Sequence, residues 1–227
     1  MSVLGDLWDD FCRANGISGS SVPLFALDNR GVVETFGYGQ DNRPMLRRSP
    51  DMRAKIIGTV QAVLSAPTSK LEGVLYMMHR MNDQGRVVPL YIGKAGRHGR
   101  FGAAVSANLA NIERDEGKFA RWGYNYAYHL GDLSAAALPG HPTPKLMPKY
   151  RKWAKVLFEY APTPNPRLRF DVRFWCTGWG PEAMGIWREF NPCPLAFAEY
   201  LLIGVAGTLF PDDLLNEEGV NRAVPED

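Results

Sequence analysis

Two strand-like runs with four polar residues between them constrain the fold of this chain more than any other feature. Val74–Arg80 and Arg86–Ile92 are rich in Val, Leu, Met and Tyr, and the tetrad Asn82–Gly85 lies between them. This pattern predicts an antiparallel β-hairpin. If the turn is centred on the tetrad and the strands carry no bulge, Tyr76 and Tyr91 are directly opposed on one face of the sheet. An aromatic pair that only packs a core would explain the same pattern.

The residues after Ile92 interleave glycines with groups that carry or can gain positive charge. The segment is Gly93-Lys94-Ala95-Gly96-Arg97-His98-Gly99-Arg100. Because glycine lets the backbone approach a ligand and guanidinium groups match phosphate, this loop is suited to binding phosphate. Its spacing matches neither a Walker A loop nor a dinucleotide fingerprint. Arg100 would begin a helix over 101–118, and a solvated basic turn is the alternative interpretation.

Gly73-Val74-Leu75-Tyr76, followed by Tyr91-Ile92-Gly93-Lys94 and then Arg100, resembles the paired signature of the GIY-YIG nuclease superfamily. Its members include restriction endonucleases, homing endonucleases and the incision nuclease of nucleotide excision repair. The resemblance implies an α+β fold with a small antiparallel sheet flanked by helices. It also implies catalytic roles for the matching residues Tyr76, Tyr91, Lys94 and Arg100. Arg97 is the alternative match for the family's arginine, and together with His98 it would contact the substrate.

Glu199 interrupts the apolar side of a predicted helix near the end of the chain. Its same-face neighbours on a helix are Leu195, Ala196, Leu202 and Ile203. Because burying an unpaired carboxylate is costly, Glu199 needs a cation, a metal ion or a cleft. A structural salt bridge or a position at the helix edge is the alternative. The resemblance implies that Glu199 is the family's catalytic glutamate and binds one Mg²⁺ or Mn²⁺ ion.

Two other positions bear on the family pattern. Asn216 is the best match for the family's later asparagine, which implies a substrate-binding role, but its spacing from Glu199 is longer than usual. Ala104 stands where many relatives have a histidine or tyrosine, one helical turn beyond the arginine. Either one of the two tyrosines therefore acts as the base alone, or another group substitutes, such as His98, Tyr124 or His129.

The signature lies well inside the chain, which predicts additional structure around it. Residues 1–70 are expected to form an N-terminal extension with a specificity or dimerisation role, containing a helix over 3–15, a hairpin over 22–37 and a helix over 52–64. Residues 71–227 are expected to form the nuclease domain, with a large insertion around 119–166. Two proline-rich segments in this insertion indicate loops.

Positive charge is concentrated in two further stretches. One is a run in which two aromatic residues are interleaved with Lys145, Lys149, Arg151, Lys152 and Lys155. The other has Arg167, Arg169 and Arg173 at a period of two, which predicts a strand with the arginines on one face. Solvated surfaces would show the same patterns, and both stretches would also suit contacts with DNA phosphates.

Composition excludes few classes of function, because the formal net charge is only +2. Three scattered cysteines predict reduced core thiols. With no basic leader and no apolar stretch of about 18 residues, a cytoplasmic protein without a membrane partner is expected. Together with the resemblance, the sequence predicts a Mg²⁺- or Mn²⁺-dependent endodeoxyribonuclease of a restriction or defence system. It would act on double-stranded DNA as a homodimer, at least when bound to DNA. The alternatives are a catalytically idle nucleic-acid-binding protein with the same fold and a structure-specific repair or recombination nuclease.

Overall fold

Two units, each assembled from separate stretches of chain, make up the structure. The computed structural model describes residues 2–67, 69–98, 129–142, 146–187 and 192–219. The first unit comprises Met1–Ser21, Thr59–Ala104 and Arg173–Asp227, and the second comprises Val22–Gly58 and Val105–Val172. The expectations for Arg100, Ala104, Tyr124, Lys145 and the helix over 101–118 fall outside the described residues.

The described residues form helices and strands that follow one another along the chain. They are α1 (Val3–Ala14), α2 (Ile17–Ser20), β1 (Val22–Pro23), β2 (Thr35–Tyr38), β3 (Arg43–Leu46), α3 (Pro50–Ser65), β4 (Gly73–Met81), β5 (Val87–Gly96), α4 (His129–Ala137), α5 (Pro148–Leu157), β6 (Arg173–Trp179) and α6 (Leu195–Leu209). The predicted α+β class, with a small antiparallel sheet flanked by helices, is confirmed.

The predicted hairpin is present as β4 and β5 in the first unit. β4 pairs antiparallel with β5 on one side and with β6 on the other. Asn82 organises the turn, because its side-chain oxygen accepts hydrogen bonds from the backbone N–H groups of Gln84 and Arg86 at 3.1 and 2.8 Å. Gly85 follows with a φ of 72°, which glycine adopts without strain. The polar tetrad therefore turns the chain through its own local hydrogen bonds.

A bulge changes the predicted pairing of the two tyrosines. The register of the hairpin shifts between Met78 and His79, so that Tyr91 pairs with Met78 and Tyr76 pairs with Gly93. The prediction of a directly opposed tyrosine pair was therefore wrong. A bulge adds one residue to one strand, and the alternation of side chains along the sequence does not reveal it. The tyrosines are instead diagonal neighbours on the same face.

Helices α1 and α6 cover one face of this sheet. Leu75, Met77 and Ile92 belong to one buried cluster with residues of both helices, among them Trp8, Phe11, Leu195, Ala198 and Leu202. Because side chains alternate along a strand, Tyr76 and Tyr91 lie on the other face. β5 thus presents its aromatic ring to one side of the sheet and its apolar residues to the helices on the other.

The division of the chain differs from the predicted boundary at residue 70. Helix α1, predicted over 3–15, is present, but its Trp8 donates a hydrogen bond from Nε1 to the Val87 oxygen at 3.0 Å. Trp8 and Phe11 also share the buried cluster of the β4–β5 hairpin. Residues 1–21 therefore belong with the sheet and not with a separate extension. Their apolar side completes the core of the first unit, which burial of apolar area favours.

The second unit contains the predicted turn at 28–31 and a short hairpin. The N–H of Gly31 bonds to the Asp28 oxygen at 3.0 Å, and Leu27 pairs with Val33 across this turn. β2 and β3 pair next, antiparallel. The Leu46 N–H donates a hydrogen bond to Ser134 Oγ of α4 at 2.9 Å, and this contact connects the β2–β3 hairpin to that helix. Within the described ranges, no helix of either unit has the length and apolar character needed to cross a membrane.

Candidate functional site

Both motif glycines occupy positions where a side chain would collide with its surroundings. A Cβ at Gly73 would lie 2.8 Å from Cδ2 of Leu195 and 2.9 Å from Cα of Gly96. A Cβ at Gly93 would lie 2.5 Å from Cζ of Tyr76, because the phenol ring lies over this residue. Glycine is therefore required at both positions by close packing and not by an unusual φ. The second motif glycine makes room for the tyrosine of the first motif.

The two motif tyrosines form an aromatic cluster with Phe174. The rings of Tyr76 and Tyr91 have centroids 6.2 Å apart and planes inclined by 35°, and Tyr76 lies at the same distance from Phe174 on β6. Tyr76 is 2% exposed and Tyr91 is 7% exposed. Ring packing of this kind contributes to the core, as the alternative interpretation of the pair expected. The tyrosine pair by itself therefore does not define a catalytic site.

Glu199 forms an ion pair with Lys94. Lys94 alternates with Ile92 along β5, which directs its side chain to the helix-covered face. Its ammonium group contacts the Glu199 carboxylate on α6. The side chains are 36% and 19% exposed, so the pair is partly buried. Of the three partners expected for Glu199, a cation, a metal ion or a cleft, the structure supplies a cation, and it comes from the second motif. The contact also meets the alternative expectation of a structural salt bridge.

Glu72 fixes the start of the helix that carries Glu199. Its carboxylate accepts a hydrogen bond from the Leu195 N–H at 2.7 Å, at the first residue of α6. The backbone N–H of Glu72 donates a hydrogen bond to the backbone oxygen of Trp179. The backbone oxygen of Glu72 accepts a hydrogen bond from the backbone N–H of Arg97. A negative charge at a helix N-terminus is favourable because it satisfies free N–H groups and complements the helix dipole. Glu72 therefore connects α6 to the ends of β5 and β6.

Asn216 holds the backbone beside Tyr91. Its amide oxygen accepts the Ile92 N–H and its amide nitrogen donates to the Ile92 oxygen, both at 2.9 Å. The neighbouring Leu215 N–H bonds to the Leu90 oxygen at 2.7 Å. Both residues that flank Tyr91 are thus tied to the segment after α6. Asn216 is 5% exposed, so its amide supports the strand and is not presented to solvent.

The phenol of Tyr91 is held in its neutral form. Burial is the largest cause that raises the pKa of Tyr91 above its ordinary value, and the negative charge of Glu199 raises it further. A side-chain hydrogen bond with Tyr76 acts in the opposite direction and is outweighed. Both main effects disfavour a phenolate, since one removes solvation and the other adds like charge. Tyr91 is therefore suited to orient a bound group through its hydroxyl.

The remaining predicted loop residues separate into different environments. Arg97 is 9% exposed, and its guanidinium donates to the oxygens of Ala66 and Leu64 at 2.7 and 3.1 Å, at the C-terminal end of α3. Arg97 thus caps the C-terminal end of α3. The predicted substrate contact would need the same guanidinium donors, which are already engaged in these hydrogen bonds. His98 is exposed beside Arg97. Arg100, the other match for the family's arginine, lies outside the described residues.

The three arginines at a period of two do not line one strand. Strand β6 begins only at Arg173, whose guanidinium donates to the oxygen of Ser21 at 2.7 Å. Arg169 instead donates from Nε to the Phe158 oxygen at 2.8 Å, beyond the end of α5. The prediction of a continuous strand over Arg167–Arg173 was therefore wrong. Basic and apolar residues can also alternate along an irregular segment, so the period of two does not by itself establish a strand. The hydrogen-bond partners of the backbone decide whether a strand forms.

Glu199 is the oxygen ligand that this arrangement offers to a divalent cation. Among the described residues, no group of three or more His, Cys, Asp or Glu side chains converges on one point. Mg²⁺ usually binds one or two protein carboxylates and completes its shell with waters and substrate phosphates. A single carboxylate at Glu199 therefore fits Mg²⁺ in the presence of a phosphate substrate. It does not fit a structural zinc centre.

Sequence reasoning did not identify Glu72 or the backbone role of Asn216. An acidic residue directly before a strand was a weak signal for a helix cap, because the helix that it caps lies far along the chain.

Comparisons of the chain with protein-family models, with curated proteins and with solved structures found no match.

Proposed function

We propose that the chain is a GIY-YIG-type endonuclease that hydrolyses phosphodiester bonds of double-stranded DNA with Mg²⁺ or Mn²⁺. The observation that carries the proposal is the ion pair of Lys94 and Glu199, 105 positions apart, whose carboxylate charge acts on Tyr91. Four residues that the resemblance implies for one site, two tyrosines, a lysine and a glutamate, thus belong to β4, β5 and α6 of the first unit. A core aromatic pair alone would not require the carboxylate and the lysine to be there.

The proposed residues have distinct roles in the reaction. Tyr91 is neutral, so its hydroxyl orients the attacking water or a phosphate oxygen by hydrogen bonding. Tyr76 packs its ring against that of Tyr91 and so fixes the position of the Tyr91 phenol. Arg100 contributes a guanidinium for the non-bridging oxygens, where charge accumulates as the water attacks. Asn216 and Glu72 are positioning residues that hold β5 and α6.

A divalent cation would be held by Glu199. Such an ion supplies charge neutralisation at the departing 3′ oxygen when it is bound. In the structure Lys94 pairs with the Glu199 carboxylate, and its ammonium group would be available to a substrate phosphate if a divalent cation took its place at Glu199. A lysine at this position therefore keeps a partly buried carboxylate paired and also places a second positive charge at the scissile group.

The proposal places the enzyme in the cytoplasm as a restriction or defence nuclease. A homodimer would cut both strands with one active site in each chain. A catalytically idle nucleic-acid-binding protein is the second candidate function. The burial of both phenols and the existing ion pair of Glu199 favour it, because an idle descendant would keep these contacts for stability alone.

Cleavage of plasmid DNA and of modified phage DNA, with Mg²⁺ and with EDTA, tests the proposal. We expect Mg²⁺-dependent cuts that Glu199→Gln and Tyr91→Phe reduce by about 100-fold or more, since removing one transition-state contact costs this much in other enzymes. Glu182→Gln and Tyr200→Phe are matched controls, because both residues are exposed in the first unit. DNA binding without any cutting would favour the idle protein. Wild-type cutting by Glu199→Gln would refute the assigned site.

A further inference from the structure

Charge is distributed unevenly between the two units. The stretches of the first unit contain 10 lysine and arginine residues and 14 aspartate and glutamate residues, a formal charge of −4. Those of the second unit contain 16 and 10, a formal charge of +6. The unit that carries the candidate site therefore has the sign that repels a polyanion. If the protein binds DNA, the second unit supplies the favourable electrostatics.

Helix α5 concentrates this positive charge on one side. Its buried side consists of Tyr150, Trp153, Ala154 and Leu157. The other side carries Arg151, Lys152 and Lys155, all exposed. No aspartate or glutamate occurs between Pro148 and Leu157. The apolar side of this amphipathic helix is already packed inside the unit, so a membrane surface is not what the helix is built to meet.

Arg151 and Lys155 are one helical turn apart and have the same charge. Like charges at this spacing destabilise a helix. Neither side chain forms an ion pair with a residue in the described ranges. Lys149 differs, because its ammonium group lies 5.6 Å from the ring centre of Trp153. Two cations thus remain directed to solvent on one face, where an external anion would relieve their repulsion.

The helix that presents these cations is anchored at its C-terminal end. Arg169 donates from Nε to the oxygens of Phe158 and Lys155 at 2.8 and 3.2 Å, and from Nη2 to the Glu159 oxygen at 3.2 Å. A guanidinium at this end satisfies carbonyl groups that the helix leaves free. The cations are therefore held on a fixed element and not on a flexible tail.

A cavity of about 420 Å³ adjoins the same face. Arg151 and Lys155 border it, together with mostly apolar residues such as Leu138, Leu146 and Pro162. The space beside these two cations is thus open and not filled by the described part of the unit. A small anion in this cavity is the competing explanation for the two charges, and it has a different experimental signature.

We propose that the exposed face of α5, formed by Arg151, Lys152 and Lys155, is a docking surface for the phosphate backbone of double-stranded DNA. The proposal rests on the proposed function, for which DNA is the substrate. Phosphate contacts position a protein on DNA without reading its sequence, and arginine and lysine side chains make most of them. The surface therefore contributes affinity and salt dependence to DNA binding, and it leaves the chemical step to the first unit.

Binding of the full chain to a fluorescent duplex in EDTA, measured over a range of salt concentrations, tests this surface separately from cleavage. For the double variant R151A/K155A we expect the slope of log affinity against log salt to fall by about 2, because each phosphate contact contributes about 0.9. Affinity at about 0.1 M salt should fall about tenfold or more. The double variant R13A/K70A removes two exposed charges from the first unit and should keep the wild-type slope.

The outcomes separate this proposal from the proposed function. A wild-type slope for R151A/K155A, or no DNA binding by the wild-type chain, would overturn the docking surface. Displacement of DNA by millimolar mononucleotide or phosphate at the same cations would assign them to the cavity, and stronger competition by polyglutamate than by DNA would assign them to an acidic protein. Binding with the expected change in slope, but without any cutting in Mg²⁺, would overturn the nuclease and leave the docking surface intact.

Discussion

Replacing Asn216 with alanine isolates the contact that ties β5 beside Tyr91. The substitution removes two hydrogen bonds of 2.9 Å and leaves the N–H and the oxygen of Ile92 without their partner. Ile92 is 0% exposed, so water does not replace the amide readily. Each buried polar group that loses its partner costs about 1–3 kcal/mol, so the loss of two should lower the free energy of unfolding by about 2–6 kcal/mol. The melting temperature should fall by roughly 2–4 °C for each kcal/mol.

Urea unfolding followed by tryptophan fluorescence measures this change, and hydrogen exchange locates it. Trp8, Trp175 and Trp179 report on the core of the first unit. The Ile92 amide should lose protection by more than its neighbours, because its acceptor is the group removed. Asn165→Ala is the matched control, since Asn165 is exposed. A loss below about 0.5 kcal/mol together with a protected Ile92 amide would refute the argument.

The variant Asn216→Asp separates the two hydrogen bonds. Aspartate keeps an oxygen for the Ile92 N–H but places a carboxylate against the Ile92 oxygen, which raises the pKa of the new group in the folded state. A raised folded pKa contributes stability at low pH and loses it as the pH rises. Asn216→Asp should therefore approach wild-type stability in acid and fall below it at neutral pH. A pH-independent deficit would contradict this account of the contact.

Three further predictions concern the same site. Gly93→Ala should destabilise the first unit and displace the phenol ring of Tyr76, which lies over this residue. Gly204→Ala should be neutral or slightly stabilising, because a Cβ there meets no neighbouring group within 4 Å. Equal melting temperatures of the two variants would contradict this prediction. The raised pKa of Tyr91 makes the folded state hold its proton above pH 10, so stability should fall as the pH rises further, and Tyr91→Phe should reduce this loss in alkaline unfolding curves. Lys94→Met should cost less than about 1 kcal/mol of unfolding free energy, because the ion pair is partly exposed, and it should strengthen Mn²⁺ binding at Glu199 measured by calorimetry. Weaker Mn²⁺ binding would refute the idea that the lysine competes with the metal.

Local chemistry made several features of this protein predictable from sequence. The turn at Asn82–Gly85 follows from an asparagine that bonds its own backbone and a glycine at positive φ. Helix α1 follows from an apolar side at helical spacing, and the predicted helix over 52–64 is present within α3. The need of Glu199 for a cation also followed from its apolar neighbours. All these features depend on residues within a few positions of one another.

Long-range contacts decided the rest. The bulge in β5 set which residue each tyrosine faces, and only the assembled sheet determines a register. The identity of the cation at Glu199 depended on α6 packing against β5, and the role of Asn216 depended on the segment after α6 returning to the same strand. By itself the sequence determined that a hairpin, a paired carboxylate and amphipathic helices would exist. The tertiary structure alone decided which of them meet, because contacts between distant residues depend on the packing of whole elements and not on the preferences of each residue.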